Sequence, residues 1–505
     1  MEGFTKAQEW IAGPYVIVRY LRRLQWALKD IAKGRRPKIP GPLITLDNGQ
    51  VVARVIPQTV YDKIFFQGVT VDVWMKDGRT IDTLPASQAI PYFDTNRKGK
   101  VAVVLGAGNV SGIPPTDALS KLFVENQVVM LKLSPVNAHI GPLIEKSFGA
   151  LIEPGFMKIA YGGPEEGNYL CNHVLVSEIH VTGSDKTYNS IVFGTGAEGS
   201  KRKEKRNPKV RKMVTGELGN VAPLIVVPGP WSAKDLAYQA ELTASLVADN
   251  AGQTCSIPRV MLQHASWSLK NQLLDQLRII FAREPLRNAY YPGAREGHRV
   301  FVDAHPEAEL FDNPNENQVP WTLIAGINPK NVNDLCFKTE GFFGYLAETE
   351  IEAPDTSSFI DRAVEFANMH LWGTLSAVIL AHPASLKEKK VANSIERAIR
   401  DLRYGTITIN YPAGANWVAG LTPWGAHHGS DIYDIQSGCG FVHNALMFSQ
   451  VQKTVGRAPF HAKPKPIWFL TRGRAATKVF ERLVDFELCP SLLKVPAIVI
   501  QSLRD

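Results

Sequence analysis

Gly252-Gln253-Thr254-Cys255-Ser256 stands between a long helical pattern, Ala233 to Asn250, and an apolar strand, Arg259 to Gln263. A helix-to-strand junction lets a side chain point into a cleft and not a core, which suits Cys255 to act as a nucleophile. Most isolated cysteines are small buried apolar residues, so the reading depends on what accompanies this one. Glu217, in Thr215-Gly216-Glu217-Leu218-Gly219-Asn220, lies 38 positions upstream. Asn109, in Gly106-Ala107-Gly108-Asn109-Val110, lies further upstream. Thiol, carboxylate base and amide donor are the three parts needed for covalent chemistry on a carbonyl.

Around this stretch the pattern alternates from Lys100 onward. Strands are expected at 101–105, 127–133, 156–161, 178–182, 222–227, 258–263, 374–381 and 404–410, with helices between most of them, as at 116–125, 138–151 and 233–250. Alternation of this kind specifies an α/β fold, with parallel sheets covered by helices. A length of 505 residues calls for two or more domains.

The flanks read differently. Residues 8–33 predict one or two helices interrupted near Pro14, with an apolar stripe of Trp10, Ile17, Leu21, Leu24, Leu28 and Ile31 beside Arg19, Arg22, Arg23 and Lys29. A basic amphipathic helix docks on its own protein or lies on a membrane, and docking is the expected case; peripheral membrane contact is the alternative. With the proline-punctuated linker Gly34 to Pro42 it makes an amino-terminal segment, 1–42. Residues 43–95 are a β-hairpin region and a candidate oligomerisation arm, with hairpin signals at Asn48-Gly49 and Asp77-Gly78. Residues 429–505 are a carboxy-terminal extension, with a helix expected at 474–486.

Composition narrows the class. An apolar fraction of 45% is that of a soluble globular protein. Five scattered cysteines form no CxxC pair and no disulfide framework, which points to a reducing cytoplasmic compartment. The first ten residues are polar, unlike a secretory leader, and no apolar run is long enough to span a bilayer. The net charge of +8 bears on solubility and steering. The basic run 201–212 is expected to be a solvated surface loop. It has no interleaved aromatic residues, so no nucleic-acid partner is expected.

Several further stretches decide the chemistry. Val128-Val129-Met130-Leu131-Lys132, Val181-Thr182-Gly183-Ser184, Gly373-Thr374-Leu375-Ser376-Ala377 and Pro423-Trp424-Gly425 stand in order around the Asn109, Glu217 and Cys255 motifs. Together they make the chain resemble the aldehyde dehydrogenase superfamily, as a divergent member, over roughly residues 100 to 430. Several motifs in order are far more specific than one.

The resemblance implies a doubly wound cofactor domain at 96–217 and a second α/β catalytic domain at 218–428. It also implies oxidation of an aldehyde by NAD or NADP, in a homodimer or homotetramer. It makes Cys255 the nucleophile, Glu217 the general base, and Asn109 with the Cys255 backbone N–H the oxyanion donors. Lys132 would bond the adenosine ribose or a 2′-phosphate, and Thr182, Gly183 and Ser184 the pyrophosphate at a helix start. Glu340, in Thr339-Glu340-Gly341-Phe342-Phe343-Gly344, would hold the nicotinamide ribose, with Phe343 as a further cofactor contact. Trp417 and Trp424 are candidates for the aldehyde pocket or the core.

The departures are specific. Pro135 stands where a carboxylate selects NAD, Tyr188 where a second glycine is common, and Ala118 where a lysine is common. Gly106-Ala107-Gly108 opens like a dinucleotide fingerprint, but Ser111 takes the place of its third glycine and Pro114-Pro115 would disturb the helix start. His427 and His428 lack a further ligand at metal spacing, so no metal is assigned. Glu217 favours hydrolytic release of a free acid. The alternatives are an acylating enzyme that reduces acyl-CoA or acyl phosphate, and a non-catalytic binding protein on the same scaffold.

Overall fold

A computed structural model describes residues 2–504; the side chains of residues 2–4 and 474 lie outside the description. Two open sheets organise the chain. The smaller has six strands, in the order Gly438–Cys439, Met213–Leu218, Glu178–Gly183, Val101–Leu105, Val128–Lys132 and Met157–Ala160. All pairs are parallel except the first. From Val101–Leu105 the chain winds outward to 128–132 and 157–160, then returns to the other side through 178–183 and 213–218. The direction reverses between Val101–Leu105 and Glu178–Gly183, and in doubly wound sheets the crevice beyond that point receives the ligand.

The larger sheet has eleven strands. Its parallel centre runs Val451–Arg457, Thr406–Ile409, Ser376–Leu380, Ala222–Val226, Pro258–His264, Tyr345–Ile351 and Trp321–Ile327. Ala222–Val226, Ser376–Leu380 and Pro258–His264 are buried along their whole length. That is why Ala222–Val226 and Ser376–Leu380 read as nearly continuous apolar runs and not as alternating ones.

All eight expected strands form, shifted by at most two residues at their ends. The hairpin at Asn48-Gly49 joins Leu43–Thr45 to Val51–Ile56. Asp77-Gly78 makes a turn but no hairpin. Thr70–Met75 pairs instead with Val451–Arg457, more than 370 residues away, and so adds residues 43–75 to the edge of the larger sheet. Local turn chemistry cannot reveal so distant a partner. The basic run is also not simply a loop: its first part completes the helix Gly196–Glu204, where Arg202 pairs with Glu198. Pro114-Pro115 does not disturb a helix start, because both fall in the first turn of Ile113–Leu119, where their missing N–H groups are not needed.

The amino-terminal segment is one rod. Helix Glu2–Trp10 passes through a π-helical bulge, Ile11–Tyr15, into helix Val16–Ile31. Pro14 lies in the bulge, where the ladder must shift to accommodate a residue without an N–H. The rod docks against the carboxy-terminal helix Gly473–Leu488. Arg19 donates to Glu487 at 2.6 Å and to Asp62 at 2.9 Å, and all three are buried.

Candidate active site

Strand Met213–Leu218 presents Glu217 opposite Thr182 of its parallel neighbour. On its other side lies Gly438–Cys439, with Gly438 at φ +116° and no room for a Cβ above the Gly216 carbonyl. Enclosed this way, Glu217 is 3% exposed. Burial pushes its carboxyl up to about 7, assisted by the charges of Asp117 and Glu340 and opposed by the nearby Trp424 indole and by the hydrogen bond from the Cys255 thiol.

Cys255 reaches this carboxylate through a strained loop. Helix Ala233–Val247 starts at a capping box formed by Ser232 and Asp235. After it, Asn250 and Ala251 adopt left-handed conformations and Gly252 follows at φ +80°. A Cβ on Gly252 would collide with the backbone of Phe343 and Gly344, so glycine alone permits this approach. Arg259, fully buried, then fastens the loop from below: it donates to the Gly252 carbonyl at 2.7 Å and the Phe343 carbonyl at 2.8 Å. Cys255 Sγ ends 3.2 Å from Glu217 Oε1. Burial, and next the neighbouring charges of Glu217 and Glu340, hold its thiol well above the ordinary range. The resting pair is therefore a thiol donating to a carboxyl that titrates near neutrality.

Asn109 meets the same loop. Its Nδ2 donates to the Gln253 carbonyl at 2.9 Å, which leaves one of its two amide hydrogens for another acceptor. Its own carbonyl accepts from Asn250 Nδ2 at 2.8 Å and from the Tyr290 hydroxyl at 2.6 Å. Tyr290, Asn250 and Arg259 all position the loop and were not singled out in the sequence. Asn250 had a signal, since asparagine tolerates left-handed backbone; Tyr290 had none.

The cofactor candidates separate. Lys132 ends its strand beside Leu105, almost buried, and burial lowers its ammonium pKa against the opposing charge of Glu166. Gly183 ends the neighbouring strand facing open space: an added Cβ would meet nothing nearer than Val181 Cγ2 at 4.0 Å. Ser184 caps helix Asp185–Phe193, accepting from Thr187 N at 3.1 Å. Glu340 accepts from Asn220 N at 3.1 Å and packs over Gly219. Burial raises its carboxyl to about 7, with Arg259 acting against the shift.

Two of the candidate side chains are engaged elsewhere. The Thr182 hydroxyl is turned away from the helix start and donates to Asp117 at 2.7 Å in a buried network with His180. Phe343 is fully buried, its ring edge-on to Phe301 and His298, so its side chain belongs to the core of the larger sheet. Tyr188 likewise fills the core of the smaller sheet and does not project into the cleft. Away from the site, His305, Asp334 and Cys336 bring metal-ligating atoms within 4.8 Å of one another. These groups already bond each other, His305 Nε2 lying 3.1 Å from Asp334 Oδ1 and 3.8 Å from Cys336 Sγ.

A family model described as "Aldehyde dehydrogenase family" matches residues 109–290, the span from Asn109 through Cys255. The fold agrees over nearly the whole chain. An NAD-dependent aldehyde dehydrogenase from Sinorhizobium meliloti superposes with a TM-score of 0.54 at 18% identity, covering 92% of this chain and 84% of that one. Residues 109–290 thus resemble the aldehyde dehydrogenase family in sequence, and nearly the whole chain shares the fold of aldehyde dehydrogenase structures. Another superfamily structure, an indole-3-acetaldehyde dehydrogenase in complex with NAD+, superposes with a TM-score of 0.56 at 16% identity, covering 91% and 84% of the two chains. In sequence, the human acylating methylmalonate-semialdehyde/malonate-semialdehyde dehydrogenase is 24% identical over 391 residues, 74% of this chain and 66% of that protein. An N-succinylglutamate 5-semialdehyde dehydrogenase from Novosphingobium aromaticivorans is 26% identical over 179 residues, 35% of this chain and 34% of its own length. The chain thus spans just under two thirds of the length of the first of these two proteins and about a third of the second.

Proposed function

We propose that this protein oxidises an aldehyde to a carboxylic acid with NAD+ or NADP+, through a covalent intermediate on Cys255. The observation that carries the reading is the 3.2 Å approach of Cys255 Sγ to Glu217 Oε1. Sulfur attacks the aldehyde carbon as its proton passes to Glu217, and a thiohemiacetal forms. The developing oxyanion is met by the Cys255 N–H and the remaining Asn109 amide hydrogen. A nicotinamide dinucleotide, which Lys132, Ser184 and Glu340 would hold, would supply hydride-accepting chemistry, and Cys255 would then carry the acyl group as a thioester. Glu217 releases that proton to solvent and, charged again, takes one from the water that attacks the thioester. The carbon–sulfur bond breaks and the free acid leaves.

The open face of Gly183 at the start of helix Asp185–Phe193 supports a phosphate-bearing cofactor there, with Lys132, Ser184 and Glu340 as its further contacts. On this reading 96–217 is the cofactor domain and 218–428 the catalytic domain. The five cysteines are all unbridged, which supports a reducing, cytoplasmic setting. Exposed apolar side chains at Tyr169, Val174 and Leu175 support assembly into a homodimer or homotetramer.

Retention of Glu217 beside the thiol supports hydrolytic release, whereas the likeness to an acylating relative supports transfer of the acyl group to CoA. An assay over an aldehyde panel with NAD+ and NADP+, with and without CoA, separates the two. Reduced cofactor formed without CoA, and lost by at least about a thousandfold in Cys255→Ala, is the expected result. Strict dependence on CoA would favour the acylating reading. Activity intact in Cys255→Ala would exclude both.

A further inference from the structure

Away from Cys255, two segments bring an imidazole, a carboxylate and a thiol to one point. His305 closes helix Ala294–Ala304, and its Nδ1 lies 2.8 Å from the Phe301 carbonyl one turn back. A carbonyl only accepts, so Nδ1 carries the ring proton and Nε2 of the neutral ring offers a lone pair. Asp334 caps helix Leu335–Lys338, its Oδ1 accepting from Cys336 N at 2.9 Å. Asn331 Nδ2 donates to the other carboxylate oxygen at 3.2 Å. Ring and carboxylate are thus both oriented by groups outside their own contact.

His305 Nε2 faces Asp334 Oδ1 at 3.1 Å and Cys336 Sγ at 3.8 Å, and the three ligating atoms all lie within 4.8 Å of one another. His305 and Cys336 are buried and Asp334 is partly so. A lone pair set against a carboxylate away from water needs a cation between them. A second proton on the ring is one such cation, but it gives no reason for the sulfur to converge on the same point. A point equidistant from the three atoms lies roughly 2.0–2.4 Å from each, which is the span of zinc–nitrogen, zinc–oxygen and zinc–sulfur bonds. The outer contacts are also those that hold metal ligands in place: a ring N–H on a backbone carbonyl, and a carboxylate fixed by N–H donors.

We propose that His305, Asp334 and Cys336 bind one zinc ion, with water completing its coordination. A nitrogen, a sulfur and a single carboxylate suit zinc, whereas calcium and magnesium take oxygen. On binding, the S–H bond of Cys336 gives way to a sulfur–zinc bond and its proton leaves to solvent. Cys336 and Phe337 pack in the core of the larger sheet, just before Glu340. The ion therefore ties the end of helix Ala294–Ala304 to the segment that leads to Glu340, and its role is structural. Zinc binding here is independent of the chemistry at Cys255.

The test strips the full chain with a chelator and titrates it with zinc chloride against a competing indicator, with cobalt chloride as a coloured stand-in. The parent should bind one zinc per chain with a dissociation constant below about 1 μM, and cobalt should show the near-ultraviolet band of a thiolate ligand. Cys336→Ser and Asp334→Asn should each weaken zinc by at least about 100-fold. Asparagine caps a helix as well as aspartate does, so Asp334→Asn still decides the matter if Cys336→Ser does not fold. Cys255→Ala should bind zinc as the parent does. Zinc bound only at millimolar concentration would mean that a second proton holds the pair, and would overturn the proposal. So would equal binding in the parent and Asp334→Asn, or loss of the ion in Cys255→Ala, which would move it to the active-site thiol.

Discussion

Glu217 shows how an acid is kept ready beside a thiol. A carboxyl held at about 7 in the folded chain binds protons that the unfolded chain has already released above its ordinary value of 4.5. Its contribution to stability is therefore complete below about pH 4.5 and is lost as pH rises toward 7. Glu217→Gln replaces it with a group that never charges. We expect this variant to be more stable than the parent at pH 8 by about 2–3 kcal/mol, and equal to it near pH 4, while losing activity. Denaturant unfolding at the two pH values checks the sign. A variant less stable at pH 8 would mean that the carboxylate is well solvated or paired in the fold.

At the scale of the element, the decisive feature is the turn from helix to strand before Cys255. Two glycines at nearly the same φ allow a controlled comparison. Gly252 lies at φ +80° against the Phe343–Gly344 backbone, whereas Gly293 lies at φ +85° with nothing within 4 Å of an added Cβ. Alanine at Gly293 pays only for the left-handed conformation, about 1 kcal/mol. Alanine at Gly252 must also push two backbone segments apart, and should cost at least about 3 kcal/mol. Thermal unfolding of both variants decides it, and equal losses would show that the loop is not wedged there. The strands around this turn were legible in sequence because their burial is uniform and their lengths short. The loop geometry was not, because it depends on Arg259 and Tyr290, whose bonds to carbonyls leave no periodic or motif signal.

Across the whole molecule, the chain is closed by its two ends. Arg19, Asp62 and Glu487 are each at least 96% buried and join the amino-terminal rod, the segment after the first hairpin and the last long helix. Burial alone would raise the Asp62 carboxyl, but Arg19 and Arg23 outweigh it and hold it at about 2. A depressed carboxyl stabilises above its ordinary range and ceases to do so as pH falls from about 4 to 2. Arg19→Ala leaves Asp62 with Arg23 alone and Glu487 with Arg22 alone, and should cost about 3 kcal/mol at pH 7; a loss under about 1 kcal/mol would mean that those two arginines suffice to hold the acids. Sequence showed the amphipathic rod but not its partner, because Asp62 and Glu487 are separated from Arg19 by 43 and 468 positions. The pairing of Thr70–Met75 with Val451–Arg457 escaped notice for the same reason. By contrast, the meeting of Cys255, Glu217 and Asn109 was legible, since each sits in a short motif at the end of a well-marked element; the directions in which Thr182 and Phe343 turn were not, because a motif position does not fix them.

The central claim is that the Cys255 thiol opens on a cleft and gives its proton to Glu217. Alkylation by iodoacetamide, followed residue by residue with mass spectrometry across pH 5 to 9, tests it directly. Cys255 should react with a rate that climbs through about pH 7, and this rise should vanish in Glu217→Gln. A Cys255 that stays unmodified while the exposed Cys489 reacts, or a profile that Glu217→Gln leaves unchanged, would contradict the account.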